Sequence, residues 1–104
     1  RSGAVLRGLA VSLEALGRHE QALAHWRTLA RGLESGSDAW CEARYHRVRC
    51  VWRLRGREEA RNLLAYMRLQ YPQAGSPQWR RRFDALDAEL GAGPASRATR
   101  TAEP

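Results

Sequence analysis

The sequence predicts an all-α domain of about five helices arranged as antiparallel hairpins, and two observations carry that prediction. Apolar residues recur every three or four positions along most of the chain, which is the spacing of one helix face. Turns that contain glycine or proline interrupt this pattern at short intervals. The chain has 104 residues, of which 43% are hydrophobic and 28% are charged, and this size and balance suit one small globular domain.

The first hairpin is predicted to cover residues 3–33. Its first helix runs from Gly3 to Leu16, and Gly17 then suits the left-handed conformation that ends many helices. The apolar pattern restarts directly afterwards, and so short a turn makes the second helix antiparallel to the first. The predicted core positions are Leu6, Leu9, Leu13 and Leu16 in the first helix, and Ala22, Trp26, Leu29 and Leu33 in the second.

The second hairpin is predicted to cover residues 38–72. Ser37 or Asp38 can cap its first helix by accepting a hydrogen bond from a free backbone amide. That helix stops at Gly56, and the next ends before Pro72, because the residue preceding a proline is pushed out of helical geometry. The predicted helices are about 39–55, with core positions Cys41, Tyr45, Val48 and Trp52, and about 57–71, with Ala60, Leu64, Met67 and Tyr71. Trp40 lies off this stripe, and we expect it to pack on the preceding hairpin or to be partly exposed.

A fifth helix is predicted at residues 76–90, where it caps the second hairpin. Ser76 can cap this helix, and Pro77 suits its first position. The predicted core positions are Trp79, Phe83, Leu86 and Leu90. Residues 91–104 contain small residues and prolines but no large apolar side chain, which predicts a disordered C-terminal tail.

The two hairpins repeat one another at an offset of 38 or 39 residues. Leu6, Leu9, Leu13, Gly17, Ala22 and Trp26 correspond to Tyr45, Val48, Trp52, Gly56, Ala60 and Leu64. Internal periods of this length indicate stacked helical hairpins. With Ala10 and Pro72, these residues resemble the tetratricopeptide repeat, which has apolar, small and aromatic residues at set positions in its first helix and alanine, an aromatic residue and proline in its second.

The resemblance to the tetratricopeptide repeat implies a short α-solenoid of two hairpins and a capping helix. The sequence departs from the family pattern at three places in the hairpins. Glu34 stands where the first repeat would have proline, Arg49 occupies the small-residue position of the second repeat, and the turn at Gly56 is one residue short. In the capping helix, Arg82 and Phe83 stand where the family has a leucine and a small residue.

The resemblance also implies a partner-binding groove lined by the first helix of each repeat. We expect this groove to bind a protein or peptide, and the arginines would suit an acidic one. The candidate contact residues are Arg7, Val11, Glu14, His46, Cys50, Arg53, Arg80 and Asp84, beside Ala4, Ala43 and Asp87. Those of the third helix, Ala43, His46, Cys50 and Arg53, lie opposite its core stripe and are expected to be exposed. Some family members hold a C-terminal carboxylate with lysines and asparagines on these helices, but this chain has no lysine and its only asparagine, Asn62, is on a second helix.

The net charge of +7 suggests an anionic partner such as nucleic acid. However, all 18 basic residues are arginine, and alanine, glycine and leucine are abundant, which is typical of a GC-rich genome. The arginines of the third and fifth helices also point in several directions. A nucleic-acid-binding helical repeat is therefore the alternative function, and a structural segment of a larger solenoid without its own ligand is the second alternative. Because the sequence starts at Arg1, we expect it to belong to a longer chain with further repeats.

The sequence contains no pattern that indicates catalysis, so we expect neither enzymatic activity nor a cofactor. It has no glycine-rich phosphate loop and no nucleophile with an identifiable base. His46 and Cys50 have the spacing of two zinc ligands, but too few further ligands remain to predict a metal site. Cys41 and Cys50 are nine residues apart in one helix, too far for a disulfide. This slightly favours a reduced, cytoplasmic setting, and no apolar run is long enough to cross a membrane.

Overall fold

The structure, a computed structural model, describes residues 3–91, and within that range it contains five α-helices and no β-strand. The helices are α1 (Gly3–Ala15), α2 (His19–Arg31), α3 (Asp38–Arg55), α4 (Arg57–Gln70) and α5 (Pro77–Gly91). The predicted all-α fold is confirmed. Gly91, predicted to begin a disordered tail, is the last residue of α5, and positions 92–104 lie outside the described residues.

The five helices pack in chain order. Each one contacts the next along the chain, and α5 also returns to contact α3. The first four helices therefore form two antiparallel hairpins, with α5 against the second. No helix in residues 3–91 is both long and apolar enough to cross a lipid bilayer.

Two glycines with positive φ angles make the turns inside the hairpins. Gly17 has φ 78° and Gly56 has φ 102°, a region that residues with a side chain seldom adopt. Gly56 alone separates α3 from α4, whereas three residues separate α1 from α2. Both turns lie where the sequence places them, and the second is the shorter.

The start of α3 is capped and is tied to the start of α5. Ser37 is the N-cap, and its hydroxyl accepts a hydrogen bond from the backbone N–H of Trp40 at 3.2 Å. The Asp38 carboxylate instead accepts from the backbone N–H of Ser76 at 2.9 Å. Of the two residues predicted as caps, Ser37 caps α3, and Asp38 links the start of α3 to the start of α5.

One apolar core runs through all five helices, and most predicted core positions lie in it. The four predicted residues of α5 are buried, as are Ala22, Trp26 and Leu29 of α2. Trp40 is also buried, with its ring edge-on to Tyr71 at a centroid distance of 4.9 Å. Five predicted core residues are only partly buried and pack against the core, namely Leu6, Leu13, Leu33, Tyr45 and Trp52.

Three residues predicted to lie in the core are exposed. Leu9 is 40% exposed and Leu16 is 69% exposed, while Ala10 is the buried residue of α1. The reason is that α1 packs extensively only on α2, so one neighbour cannot cover its whole leucine stripe. Tyr71 is exposed because it follows the last residue of α4 and no longer has the helical register.

Candidate binding groove

The first helices of the two hairpins come together with α5 on one side of the molecule. Side chains of Arg7 and Glu42 join α1 to α3, and the Tyr45 ring of α3 meets the Trp79 ring of α5 at a centroid distance of 5.7 Å. We call this side, formed by α1, α3 and α5, the groove face. It is the surface on which the sequence places the partner-binding residues.

Arg7 lies on the groove face, but its charge is already paired. Its Nε donates a hydrogen bond to Oε1 of Glu42 and its Nη2 donates one to Oε2, both at 2.8 Å. These hydrogen bonds hold the pKa of Glu42 below its usual value and raise that of Arg7. A bidentate salt bridge of this kind fixes the relative position of the two side chains. Arg7 therefore joins α1 to α3 and is not a free contact for a partner.

Glu14 also lies on the groove face and connects three helices. Its carboxylate accepts a hydrogen bond of 2.6 Å from the indole N–H of Trp26 on α2. The same oxygen lies 3.0 Å from Nδ1 of His46 on α3, close in distance but not aligned as a hydrogen bond. The rings of Trp26 and His46 stack with centroids 4.5 Å apart and an angle of 8°. These three residues therefore hold the first hairpin against α3.

The environment of Glu14 favours its ionised form. Burial acts to raise the pKa of the carboxyl, because a charge loses hydration inside a protein. The nearby His46 ring, the Trp26 N–H and the positive charge of Arg49 outweigh that effect, so the pKa lies below its usual value. Glu14 is thus a partly buried carboxylate that holds neighbouring groups in place, which is a structural role.

The predicted groove residues of α3 require a correction. Cys50 and Ala43 were expected to be exposed, but both are 0% exposed. Because α3 packs against α2 and also against α4, it buries two faces. The part of α3 that remains on the groove face is therefore narrower than the exposed face of a helix that packs on one side only. The residues on it are Glu42, His46, Arg49 and Arg53, which follow one another at helical spacing.

Neither thiol of the protein is available for chemistry. Cys41 and Cys50 are free and buried, and burial raises their pKa values to about 11 and about 12. Both thiols are therefore protonated near neutral pH, whereas the nucleophile and the metal ligand is the thiolate. In residues 3–91, no group of three or more histidine, cysteine or acidic side chains is placed to hold a metal ion.

The predicted groove residues of α5 require a second correction. Asp84 pairs with Arg68 of α4, and Arg80 donates a hydrogen bond of 3.3 Å to Gln73 in the preceding loop. Asp84 therefore lies towards α4 and Arg80 towards the loop between α4 and α5. Arg82 is directed to the other side, where its guanidinium covers the Trp79 ring at 4.8 Å and its charge acts on Glu42 of α3.

Arg49 and Arg53 flank a cleft between α3 and α5. The cleft has a volume of about 410 Å³ and is lined by Arg49, Trp52, Arg53 and Glu89. The Arg49 guanidinium lies 5.8 Å from the centre of the Tyr45 ring. Within residues 3–91, neither Arg49 nor Arg53 forms a salt bridge. Both guanidinium groups can therefore contact an anionic ligand in the cleft.

The remaining predicted contact, Val11, is exposed on α1. Of the eight candidate residues, Arg7, Glu14, His46 and Arg53 lie on the groove face. Cys50 lies in the core, and Arg80 and Asp84 have partners outside the groove face. Arg49 and Arg82 lie on the groove face, although the sequence analysis did not name them as contacts. The sequence feature that could have identified Arg49 is its departure from the repeat pattern, because a long cationic side chain replaces a small residue at that position.

Comparisons of the chain with protein-family models, with curated proteins and with solved structures find no match.

Proposed function

We propose that this domain is a non-catalytic binding module that holds an acidic peptide or protein segment in the cleft between α3 and α5. The proposal rests on two guanidinium groups on the lining of the cleft, Arg49 and Arg53, which form no salt bridge with any residue in 3–91. A guanidinium group offers a carboxylate two parallel hydrogen bonds. Two of them one helical turn apart suit a segment with successive acidic residues.

The surroundings of the cleft support this kind of partner. Arg82 adds a third cation on the groove face, where Arg49 covers the Tyr45 ring and Arg82 covers the Trp79 ring. Arginine stacked on an aromatic ring is more ordered than a free side chain, and binding then costs less entropy. The cleft of about 410 Å³ has room for a few side chains, so the rest of the partner would lie along the surface.

Two further considerations favour recognition over catalysis. The thiols are buried and protonated, and the acidic groups Glu14 and Glu42 are occupied by neighbouring residues. The resemblance of the two hairpins to the tetratricopeptide repeat, a protein-binding family, supports the same reading. The departure at Arg49 gives this chain a cation where the family has a small residue.

The test is selection from a random peptide library displayed on phage. We expect the selected peptides to be rich in aspartate and glutamate. We also expect Arg49→Glu and Arg53→Glu each to weaken the binding of a selected peptide by about tenfold or more, because each replaces a charge-assisted hydrogen bond with repulsion. Titration of the labelled peptide by fluorescence anisotropy measures this loss.

Arg55→Glu is the matched control, since it makes the same charge change in the last turn of α3 but away from the cleft. It should reduce affinity only through the overall charge, by a few-fold at physiological salt. If no peptide is selected, or if Arg53→Glu and Arg55→Glu weaken binding equally, the proposed cleft is not the binding site.

A further inference from the structure

A second cleft, separate from the groove face, is lined by four arginines. It lies between the C-terminal parts of α2 and α4 and the part of α3 from Trp40 to Arg47, and its volume is about 490 Å³. Arg27 and Arg31 come from α2, and Arg44 and Arg47 come from α3. We call it the arginine cleft. Trp40 and Tyr71 form part of its wall.

The arginine cleft has no negative charge of its own. No aspartate or glutamate lines it, and none of the four arginines forms a salt bridge within residues 3–91. Two of them have partial explanations within the fold. Arg31 belongs to the last turn of α2, where a cation is favourable beside the helix dipole, and the Arg44 guanidinium covers the Trp40 ring at 5.1 Å.

Neither a helix end nor an aromatic ring accounts for the position of the Arg47 charge. Its side chain is half-buried, and its Nε is shielded from solvent with no hydrogen-bond partner. Burial lowers the pKa of Arg47, and the positive charges of Arg44 and Arg27 lower it further. Burial also lowers the pKa of Arg44. Partly dehydrated cations that repel one another destabilise a folded protein unless an anion offsets them, so an anion bound in the cleft would stabilise the fold.

The chemistry of the cleft selects among anions. A carboxylate carries one charge and two acceptor oxygens, which one guanidinium can satisfy. A phosphate monoester carries a charge of about −1.5 to −2 at pH 7 and has three strong acceptor oxygens, so it can engage several guanidinium groups at once. Ser35, Gln70 and Tyr71 also line the cleft and have neutral donors for the remaining lone pairs.

We propose that the arginine cleft is a binding site for a phosphate monoester, with Arg47 and Arg27 as its principal ligands. The site is independent of the groove face, because the two share no residue.

The experiment is calorimetric titration of the whole chain with inorganic phosphate and phenyl phosphate at constant ionic strength, together with thermal melts. Both probes should bind saturably and raise the melting temperature. Arg47→Gln and Arg27→Gln should each weaken phenyl phosphate binding by about tenfold or more, because each removes charge-assisted hydrogen bonds. Dimethyl phosphate, a diester with one charge, and acetate should bind at least about tenfold more weakly than phenyl phosphate.

A second readout separates a ligand-binding role from a structural one. In phosphate-free chloride buffer, Arg47→Gln should raise the melting temperature, because it removes a half-buried charge that neighbouring arginines repel. Arg81→Gln makes the same charge change at an exposed position of α5 and should alter neither affinity nor melting temperature appreciably.

Absence of saturable binding would overturn the proposal. So would unchanged affinity in Arg47→Gln and Arg27→Gln, or a lower melting temperature of Arg47→Gln in chloride. Equal affinity for dimethyl phosphate would also overturn it, and would indicate instead a surface for the phosphodiester backbone of nucleic acid.

Discussion

Replacing Trp26 with alanine should lower the free energy of unfolding by about 3–5 kcal/mol, the usual cost of removing a buried tryptophan side chain. Trp26 is 0% exposed and is the largest fully buried side chain in the described part of the chain. Its ring stacks on His46 of α3, and its indole N–H binds Glu14 of α1. A domain of this size has a total stability of about 5–15 kcal/mol, so the loss is a large part of the whole. Urea denaturation followed by circular dichroism measures it.

Trp26→Phe is the matched control for this substitution. It keeps an aromatic ring that can stack on His46 but removes the N–H that Glu14 accepts. We expect a smaller loss, about 1–3 kcal/mol, because a half-buried carboxylate then has one donor fewer. Should Trp26→Ala cost less than about 1 kcal/mol, the hairpin would not be packed against α3 through this residue.

Replacing Gly75 with alanine should lower the free energy of unfolding by about 2–5 kcal/mol, from backbone strain and overpacking together. Gly75 has φ 80°, and an added Cβ would lie 2.7 Å from Sγ of Cys41 and 2.9 Å from Cβ of Trp79. The Cβ of Trp79 is fixed to its backbone and cannot move away by rotation. The Gly75 N–H also donates to the carbonyl of Gly36 at 2.8 Å, so displacing the loop would break the contact between the starts of α3 and α5.

Gly17→Ala supplies the comparison, because Gly17 has a similar φ of 78° but no atom within 4 Å of an added Cβ. It should cost only the backbone strain, about 1–2 kcal/mol. Adding Cys41→Ala to Gly75→Ala should recover part of the loss, since it removes the nearer of the two clashing atoms. Equal denaturation midpoints for the Gly75 and Gly17 variants would show that the loop is not packed as described.

The sequence predicts the helices well because their signals are local. Apolar spacing, the Ser37 cap, the glycine turns and Pro72 act within a few residues, and each marks a helix boundary to within one or two positions. The core of α5 follows from the same spacing, because that helix has a single apolar stripe and buries it completely.

The groove was harder to predict because exposure depends on how many neighbours a helix has. A helical wheel assumes one buried side, which fits α5 but fails for α3, where Cys50 lies on a second buried face. It fails in the opposite sense for α1, because no neighbouring helix covers Leu9, or Leu16 directly after the helix. Charged positions add a further difficulty, since pairs such as Arg68 with Asp84 join different helices and cannot be derived from spacing within one helix.

The orientation of α3 is central to this account, because it places Arg49 and Arg53 on the groove face and Cys50 in the core. The reaction of the Cys50 thiol with a colorimetric disulfide reagent, in a Cys41→Ala background, tests it most directly. We predict that the thiol stays unreactive in native buffer and reacts only as denaturant unfolds the chain, because it is 0% exposed and its pKa is about 12. Prompt stoichiometric reaction in the folded protein would place Cys50 on the surface and contradict the orientation of α3.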